Sequence, residues 1–209
     1  QVKLGIMNLA SKKGVYAFDV GADREIADFS WINNERLYFV GANITGWLDG
    51  AKKDYRAYFA NLDGKKRKGV PLGYTRIVSF MEDDNDHVLI LKNSDDGVKV
   101  HKMNVNNLKT NYLSNEPKAV GGMHARISSI VVDNNDEPRF AVEYDPVNQK
   151  NYDDDVVYMH ARNADSDWKH IPFENKRVKD LPDVSPLGFN DTNTVYYFTS
   201  NHDISGMGG

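Results

Sequence analysis

Hydrophobic residues alternate with polar ones over short segments of the chain, and clusters of Asp and Asn interrupt these segments. Alternation over about four to eight residues is typical of half-buried β-strands. Because Asp and Asn side chains hydrogen-bond their own backbone in tight reversals, two such segments around one cluster predict a β-hairpin. Hairpins of this design recur at residues 26–40, 75–91, 127–142 and 187–198.

A second recurring unit ends one strand and enters a turn before a short final strand. Its turns begin near Asn8, Asn61, Asn104 and Arg162. These four residues are 53, 43 and 58 positions apart. Repeats with such uneven spacing and a fixed internal order are typical of β-propeller blades with variable loops.

Chaining the two units predicts a series of four-stranded antiparallel sheets. The last two strands of one blade precede three whole blades, and the first two strands of another blade follow them. These parts fall at about residues 2–20, 26–71, 75–113, 126–173 and 184–200. Since no window shows a sustained apolar stripe at helical spacing, the predicted fold class is all-β, a β-propeller fragment of about four blade-equivalents.

The prediction for domain organisation is one partial β-propeller domain over residues 1–209. Its blade boundaries are expected near residues 22–25, 72–74, 114–125 and 174–183. An open series of blades exposes unpaired strand edges at both ends. Two arrangements could satisfy these edges: the terminal strands share one blade and close a four-bladed ring, or two copies pair as a homodimer.

Composition and charge limit the classes of partner that the 209-residue chain is expected to bind. Its formal net charge is −4 and its basic residues are scattered, so we expect no nucleic-acid partner. No stretch approaches the roughly 18 apolar residues of a membrane span, so we expect no membrane partner. The absence of cysteine excludes disulfides, thiolate metal sites and cysteine nucleophiles. Both periplasm and cytoplasm remain compatible with this composition.

The sequence indicates no catalytic, cofactor-binding or metal-binding residue. The acidic runs at 83–86 and 153–155 resemble turn-forming segments more than calcium loops, which need a full ligand pattern. The histidines lack the spacing of a zinc site, although His101 or His160 could meet a carboxylate across a strand. The neighbouring His202 and Asp203 are poor evidence for a triad, because triads are defined by spatial geometry.

Aromatic residues supply the one candidate binding position. Trp31 alternates with core positions of a predicted strand, so we expect it in the packing between blades. Trp47 falls between glycines in the predicted loop 41–54 and is the candidate for a contact on the rim. The basic run 65–68 follows a turn and is expected to form an outer edge strand, where lysines discourage aggregation.

Three segments resemble blades of the N-terminal propeller in the prolyl oligopeptidase family of serine peptidases. The first is Phe-Ser-Trp-Ile-Asn-Asn-Glu-Arg-Leu-Tyr-Phe at residues 29–39, and the others are residues 80–91 and 186–203. The resemblance is to bacterial acylaminoacyl peptidase and dipeptidyl peptidase-like members, and it leans towards a periplasmic location.

This resemblance implies a propeller that caps an α/β-hydrolase domain and restricts the entry of peptide substrates. The hydrolase domain of that family carries the catalytic serine in a Gly-x-Ser-x-Gly elbow, which this chain lacks. The expected function is therefore a non-catalytic propeller segment that gates access and docks on a hydrolase domain absent from the chain. The alternative is a stand-alone propeller-like scaffold that binds a protein or carbohydrate partner.

Overall fold

Every regular element in the described part of the chain is a β-strand, as expected from the alternating pattern. The computed structural model describes residues 2–44, 54–71, 75–95, 97–113, 116–146, 156–163, 165–171, 176–177 and 185–199. Its strands are β1 (Leu4–Asn8), β2 (Lys13–Phe18), β3 (Arg24–Trp31), β4 (Arg36–Asn43), β5 (Tyr55–Asn61), β6 (Lys68–Pro71), β7 (Thr75–Ser79), β8 (His87–Ser94), β9 (Gly97–Asn104), β10 (Thr110–Tyr112), β11 (Arg126–Val132), β12 (Pro138–Asp145), β13 (Val156–Ala161), β14 (Lys169–His170), β15 (Lys176–Arg177), β16 (Ser185–Phe189) and β17 (Tyr196–Thr199). The all-β prediction is confirmed.

Strands β3 to β6 form a four-stranded sheet in which chain neighbours are also sheet neighbours. All three pairings are antiparallel, with Phe39 opposite Phe29 on one side and opposite Tyr58 on the other. This up-and-down order is the predicted blade design. The outer strand β6 begins at Lys68, so only the last residue of the basic run 65–68 lies in the edge strand, and the other three belong to the turn before it.

The chain divides into two compact units. Unit 1 comprises Gln1–Ile90 and His101–Asn111, and unit 2 comprises Leu91–Val100 and Tyr112–Gly209. Strands β8 and β9 contribute residues to both units.

In unit 1 the β3–β6 sheet is covered on both faces. Residues 36–42 of β4 are all buried, which a strand with one wet face cannot achieve. Alternate positions therefore belong to two separate hydrophobic clusters. One face packs Leu37, Phe39 and Ala60 against Phe18 and Val20 from the β1–β2 segment, and the other packs Tyr38, Val40, Ala57 and Phe59 against Val88, Ile90, Met103 and Val105.

Aromatic rings supply much of the contact on the β1–β2 side. Phe39 lies 5.0 Å from Phe18 and is stacked on Tyr58 at 5.1 Å between ring centroids. The guanidinium of Arg67 lies 4.3 Å from the centroid of the Tyr58 ring. Arg67, in the predicted basic run, thus covers the sheet edge through a cation–π contact.

In unit 2, β11, β12 and β13 form antiparallel pairs, and β14 and β15 both pair with β13. The β16–β17 hairpin packs on this sheet, with the Tyr196 ring stacked on Phe140 at 4.7 Å. A single parallel bridge between Ile127 and Gly97 links β11 to β9. Gly97 has φ +115°, and a side chain there would lie within 2.5 Å of the Ile127 carbonyl oxygen, so glycine is required at this junction.

The hairpin turns form by the predicted mechanism. In each, an Asp or Asn side-chain oxygen accepts a backbone N–H group two to five residues later, which replaces the hydrogen bonds lost at the reversal. The accepting side chain is given first and the residue with the donating N–H group second: Asn33 and Arg36, Asp84 and Asp86, Asp133 and Asn135, and Asn190 and Val195.

Asparagine side chains also connect neighbouring sheets at these turns. In unit 1, Asn33 Nδ2 donates to the carbonyl oxygen of Asn85 at 2.9 Å. In unit 2, Asn134 Nδ2 donates to the carbonyl oxygen of Asn190 at 2.8 Å. An asparagine side chain therefore connects one sheet to the next within each unit.

Arginine side chains at the start of the second strand reinforce the connection. The buried Arg36 donates to Asn61 Oδ1 at 2.6 Å and to the carbonyl oxygen of Val105 at 3.1 Å. Burial lowers the pKa of Arg36 from its usual value. In unit 2, Arg139 donates to the carbonyl oxygen of Asn193 at 3.1 Å.

The prediction that Trp31 lies in the core is wrong. Trp31 is 55% exposed, and Phe29 on the same strand is 60% exposed. Both are opposite buried residues, because Trp31 pairs with Leu37 and Phe29 with Phe39. The two-stranded β1–β2 sheet covers the central strands of the β3–β6 sheet but leaves its edge strand β3 exposed.

Candidate functional site

A concave groove of about 870 Å³ lies in unit 1. It lies between β3 and β7 and is called the β3–β7 groove below. Grooves of this size with a few convergent polar groups are the usual places for ligands. Its principal lining residues are Glu25, Asp28, Tyr38, Tyr55, Arg76 and Phe80.

The local fold explains why two carboxylates line one wall of the groove. The register between β3 and β4 shifts between Ile26 and Asp28. Such an irregularity bends a strand and re-aims its side chains. Glu25 and Asp28 consequently both line the groove although they are three positions apart on one strand.

The groove combines charges of both signs with a neutral phenol. Arg76 on β7 lies across from the carboxylates of β3. Burial, and secondarily the charge of Asp28, raises the pKa of Tyr38 to about 12. The hydroxyl of Tyr38 therefore remains protonated at neutral pH. The groove offers hydrogen bonds and charge pairing to an extended polar chain.

Unit 2 contains a second polar cluster, centred on the buried side chains of Glu143 and His160. His160 Nε2 lies 2.8 Å from Glu143 Oε2, and the two side chains are 2% and 0% exposed. Glu143 also accepts the N–H groups of Val120 and Gly121 at 2.9 Å and 2.7 Å. Asp145 accepts the N–H group of Gly122 at 2.5 Å. We call this set the Glu143 cluster.

The contacts of the Glu143 cluster indicate an anchoring role. A buried carboxylate is stable only when several donors compensate for its lost hydration, and here backbone amides and an imidazole do so. The cluster fixes residues 120–122 against β12 and β13. The expectation that His160 could meet a carboxylate is confirmed, whereas its partner Glu143 was not among the predicted site residues.

A third cluster forms at the turn between β7 and β8. His87 Nδ1 lies 2.9 Å and 3.0 Å from the two oxygens of Asp84, and Lys102 Nζ lies 2.6 Å from Asp84 Oδ2. The hydrogen bond from Lys102, with a further one from His87, holds the pKa of Asp84 well below its usual range despite some burial. The acidic run at 83–86 thus forms an Asx turn, as predicted.

The Asp84→Asn variant tests the electrostatic part of this turn. A lowered pKa means that Asp84 stabilises the fold above its unfolded pKa of about 3.9, and that this stabilisation is lost on acidification below that value. Because the Asp84 side chain is 28% exposed, we expect Asp84→Asn to lower the free energy of unfolding by only about 1 kcal/mol. In urea unfolding, the wild type should have a higher free energy of unfolding than Asp84→Asn at pH 6. This difference should shrink below pH about 4.

Asp83→Asn is the matched control, since it removes the same charge one residue earlier in the same turn. We expect its difference from the wild type to be less than half that of Asp84→Asn. An advantage of the wild type over Asp84→Asn that stays constant from pH 6 to pH 2 would contradict the assignment.

The remaining predicted positions are only partly described. Trp47, the predicted rim contact, and the acidic run 153–155 lie outside the described residues. Within the described ranges, no group of three or more His, Asp or Glu residues is arranged to hold a metal ion. The same residues include no helix long and apolar enough to cross a membrane.

No protein family profile and no curated protein matches the chain. One similar solved structure is the β-propeller domain of the Trilobed protease from Pyrococcus furiosus, with 11% identity and a TM-score of 0.38. The similarity covers 83% of this chain and 48% of that one, so the chain spans about half the length of its match. The blade assignment rests on the strand pairing described above.

Proposed function

We propose that the chain is a non-catalytic propeller segment of a prolyl oligopeptidase-family serine peptidase. It gates the access of peptides and docks on an α/β-hydrolase domain that the chain does not contain. The observation that carries the proposal is the stacking in unit 1, where the four-stranded β3–β6 sheet has other strands packed on both faces. Such a series of stacked antiparallel sheets is the building principle of propellers.

The polar clusters support a non-catalytic role for the segment. His87 and His160 each contact a carboxylate, as the histidine of a triad does. The same carboxylates, however, accept backbone amides in a turn and in the Glu143 cluster. These histidines therefore serve the architecture in this proposal, and peptide bonds are hydrolysed by the separate domain.

The β3–β7 groove is the proposed route for peptides. An extended peptide carries amide donors and acceptors along its length and opposite charges at its ends. Glu25, Asp28 and Arg76 offer matching charges, and Tyr38 offers a hydroxyl. We expect the groove to contact substrates in transit without changing their bonds.

The purified chain should hydrolyse no blocked chromogenic peptide. Activity that co-purifies through two different chromatographic routes would overturn the proposal. In the parent peptidase, Arg76→Glu should lower kcat/KM for peptides of about ten residues by roughly three- to tenfold, because it replaces the positive charge of the groove.

Two comparisons separate gating from a general loss of activity. The parent's kcat/KM for a blocked dipeptide should change less than twofold in Arg76→Glu, since a short substrate passes with fewer groove contacts. Lys109→Glu, the same charge change at an exposed position outside the groove, should leave both substrates unaffected. Equal losses for short and long peptides would contradict gating.

The β3–β7 groove also supports the second candidate function, a binding scaffold without a hydrolase partner. Its mixture of aromatic and charged side chains suits a peptide or a carbohydrate. Reading the encoding gene distinguishes the two functions, because a downstream Gly-x-Ser-x-Gly elbow favours the peptidase segment and its absence favours the scaffold.

A further inference from the structure

A polar basin lies in unit 1, at the end of the sheets where β3 turns into β4 and β7 into β8. Its volume is about 580 Å³, within the range of pockets that hold a small ligand. Of its nine described lining residues, four are charged and five are asparagines, namely Asn33, Asn34, Asn61, Asn85 and Asn106. We call it the asparagine basin. It shares no lining residue with the β3–β7 groove.

Several amide groups of the basin keep hydrogen-bonding capacity for a ligand. Asn61 Oδ1 accepts a hydrogen bond from Arg36 Nη1 at 2.6 Å, but Asn61 Nδ2 donates to none of the described residues. The exposed side chains of Asn34 and Asn85 make no hydrogen bond within the described part of the chain either. Donors and acceptors of three amides therefore line one concavity without a described protein partner.

Arg36 lines the basin as a buried cation whose described acceptors are all uncharged. It is 5% exposed, its Nη atoms donate to Asn61 and to the carbonyl oxygen of Val105, and its Nε has no hydrogen-bond partner in the described residues. In unit 2, Arg139 near the start of the second strand instead pairs with the carboxylate of Asp133 at 2.5 Å. The guanidinium of Arg36 has five N–H donors, so it retains capacity for the oxygen atoms of a ligand.

The charges of the basin disfavour a simple ion. Glu35 and Asp86 oppose Arg36 and Lys66, so the four lining charges sum to zero. Burial lowers the pKa of Arg36, and the charge of Asp86 opposes that shift, so Asp86 acts on the guanidinium. An anion drawn to Arg36 is therefore repelled by Asp86, and a cation drawn to Asp86 is repelled by Arg36.

A neutral molecule with many hydroxyl groups fits this lining better. Each hydroxyl donates one hydrogen bond and accepts up to two, which matches side chains that offer donors and acceptors next to each other. An apolar ligand, by contrast, would find no apolar side chain among the described lining residues.

We propose that the asparagine basin binds a carbohydrate of one or two neutral sugar rings. The amides of Asn34, Asn61 and Asn85 and the guanidinium of Arg36 form hydrogen bonds with its hydroxyl groups. Each of these bonds replaces one to water, and no aromatic ring lines the basin among the described residues. The dissociation constant should therefore be on the order of 1–10 mM. The proposal rests neither on the kinship with peptidases nor on the β3–β7 groove.

NMR titration of the ¹⁵N-labelled chain tests the proposal with maltose, cellobiose, lactose and mannobiose, each up to about 100 mM. At least one disaccharide should give saturable shifts of the backbone resonances of residues 33–36 and 85–86. The side-chain amide resonances of Asn34, Asn61 and Asn85 should shift with the same dissociation constant. Sorbitol at the same concentration controls for unspecific effects of a polyol and should give no saturable shift.

The double variant Asn34→Ala/Asn85→Ala removes two of the proposed contacts. It should raise the dissociation constant at least about tenfold. Its midpoint of thermal unfolding should not change, because neither side chain has a partner in the described residues. Asn135→Ala is the matched control, since it truncates an exposed asparagine in the corresponding turn of unit 2. It should bind the disaccharide as the wild type does.

Three results would overturn the proposal. The first is the lack of a saturable shift with all four disaccharides, and the second is binding that the double variant leaves unchanged. The third is a shift of the same resonances with about 10 mM phosphate and with none of the disaccharides, which would identify an anion site. None of these results bears on the peptidase proposal, because the hydrolysis and kcat/KM measurements test that separately.

Discussion

The Glu143→Ala variant is expected to lose about 3–5 kcal/mol of the free energy of unfolding, the range for breaking a buried polar pair. The substitution removes the carboxylate that contacts the buried imidazole of His160 and accepts the N–H groups of Val120 and Gly121. Urea unfolding at pH 7, followed by far-UV circular dichroism, measures the loss.

Two comparisons show whether burial causes this effect. Glu137→Ala also removes a glutamate side chain, at the residue directly before β12. Glu137 pairs with Arg162, but its side chain is 52% exposed. Glu137→Ala should cost no more than about 1 kcal/mol. Glu143→Gln keeps one acceptor oxygen and should fall between the two. Equal losses for Glu143→Ala and Glu137→Ala would show that the cluster contributes no more than a surface pair.

Phe59→Ala is expected to cost a similar amount, about 3–5 kcal/mol. The Phe59 ring is fully buried between the β3–β6 sheet and the residues of β8 and β9 in the same unit. It lies 5.6 Å from the Tyr38 ring, between centroids. Its removal leaves a cavity between two stacked sheets that a regular backbone cannot collapse to fill. Thermal and urea unfolding both report this loss.

Phe29→Ala is the matched control because it removes the same ring from the same sheet at a position 60% exposed. It should cost less than about 1 kcal/mol of the free energy of unfolding. A loss at Phe29 equal to that at Phe59 would mean that β3 is covered in the monomer, contrary to the exposure of Phe29 and Trp31.

The features that the sequence predicted are those determined by local interactions. The apolar run of residues 37–40 and the Asx turn at Asn33 act within a few residues, so their pattern is visible in the chain. Strand order follows from short hairpins that leave few other pairings. The blade-type sheets could therefore be predicted, while the domain organisation of the whole chain stays a prediction.

The Glu143 cluster could not be predicted in the same way. Ala141, Glu143 and Asp145 occupy one face of β12, and the alternation marks this face as polar, which suggests solvent. The backbone donors to Glu143 are Val120 and Gly121, which precede β11 and show no recognisable pattern. A carboxylate in a strand of otherwise buried residues was the available signal, but its donors depend on the tertiary fold.

The error at Trp31 has a related cause. Alternation identifies which face a residue occupies, and Trp31 does share its face with the buried Leu37. The alternation pattern does not show how far the neighbouring sheet extends over that face. Since only β1 and β2 pack on this side of the β3–β6 sheet among the described strands, the edge strand remains exposed.

The asparagine contacts from Asn33 to Asn85 and from Asn134 to Asn190 have a consequence for evolution and engineering. They join successive sheets at the end where the first hairpin of each sheet turns. The connections after β4 and β12 leave from the opposite end of the strands. New peptide sequences can accumulate or be grafted there without disturbing the alignment of one sheet on the next. Insertions at the asparagine turns would break that alignment directly.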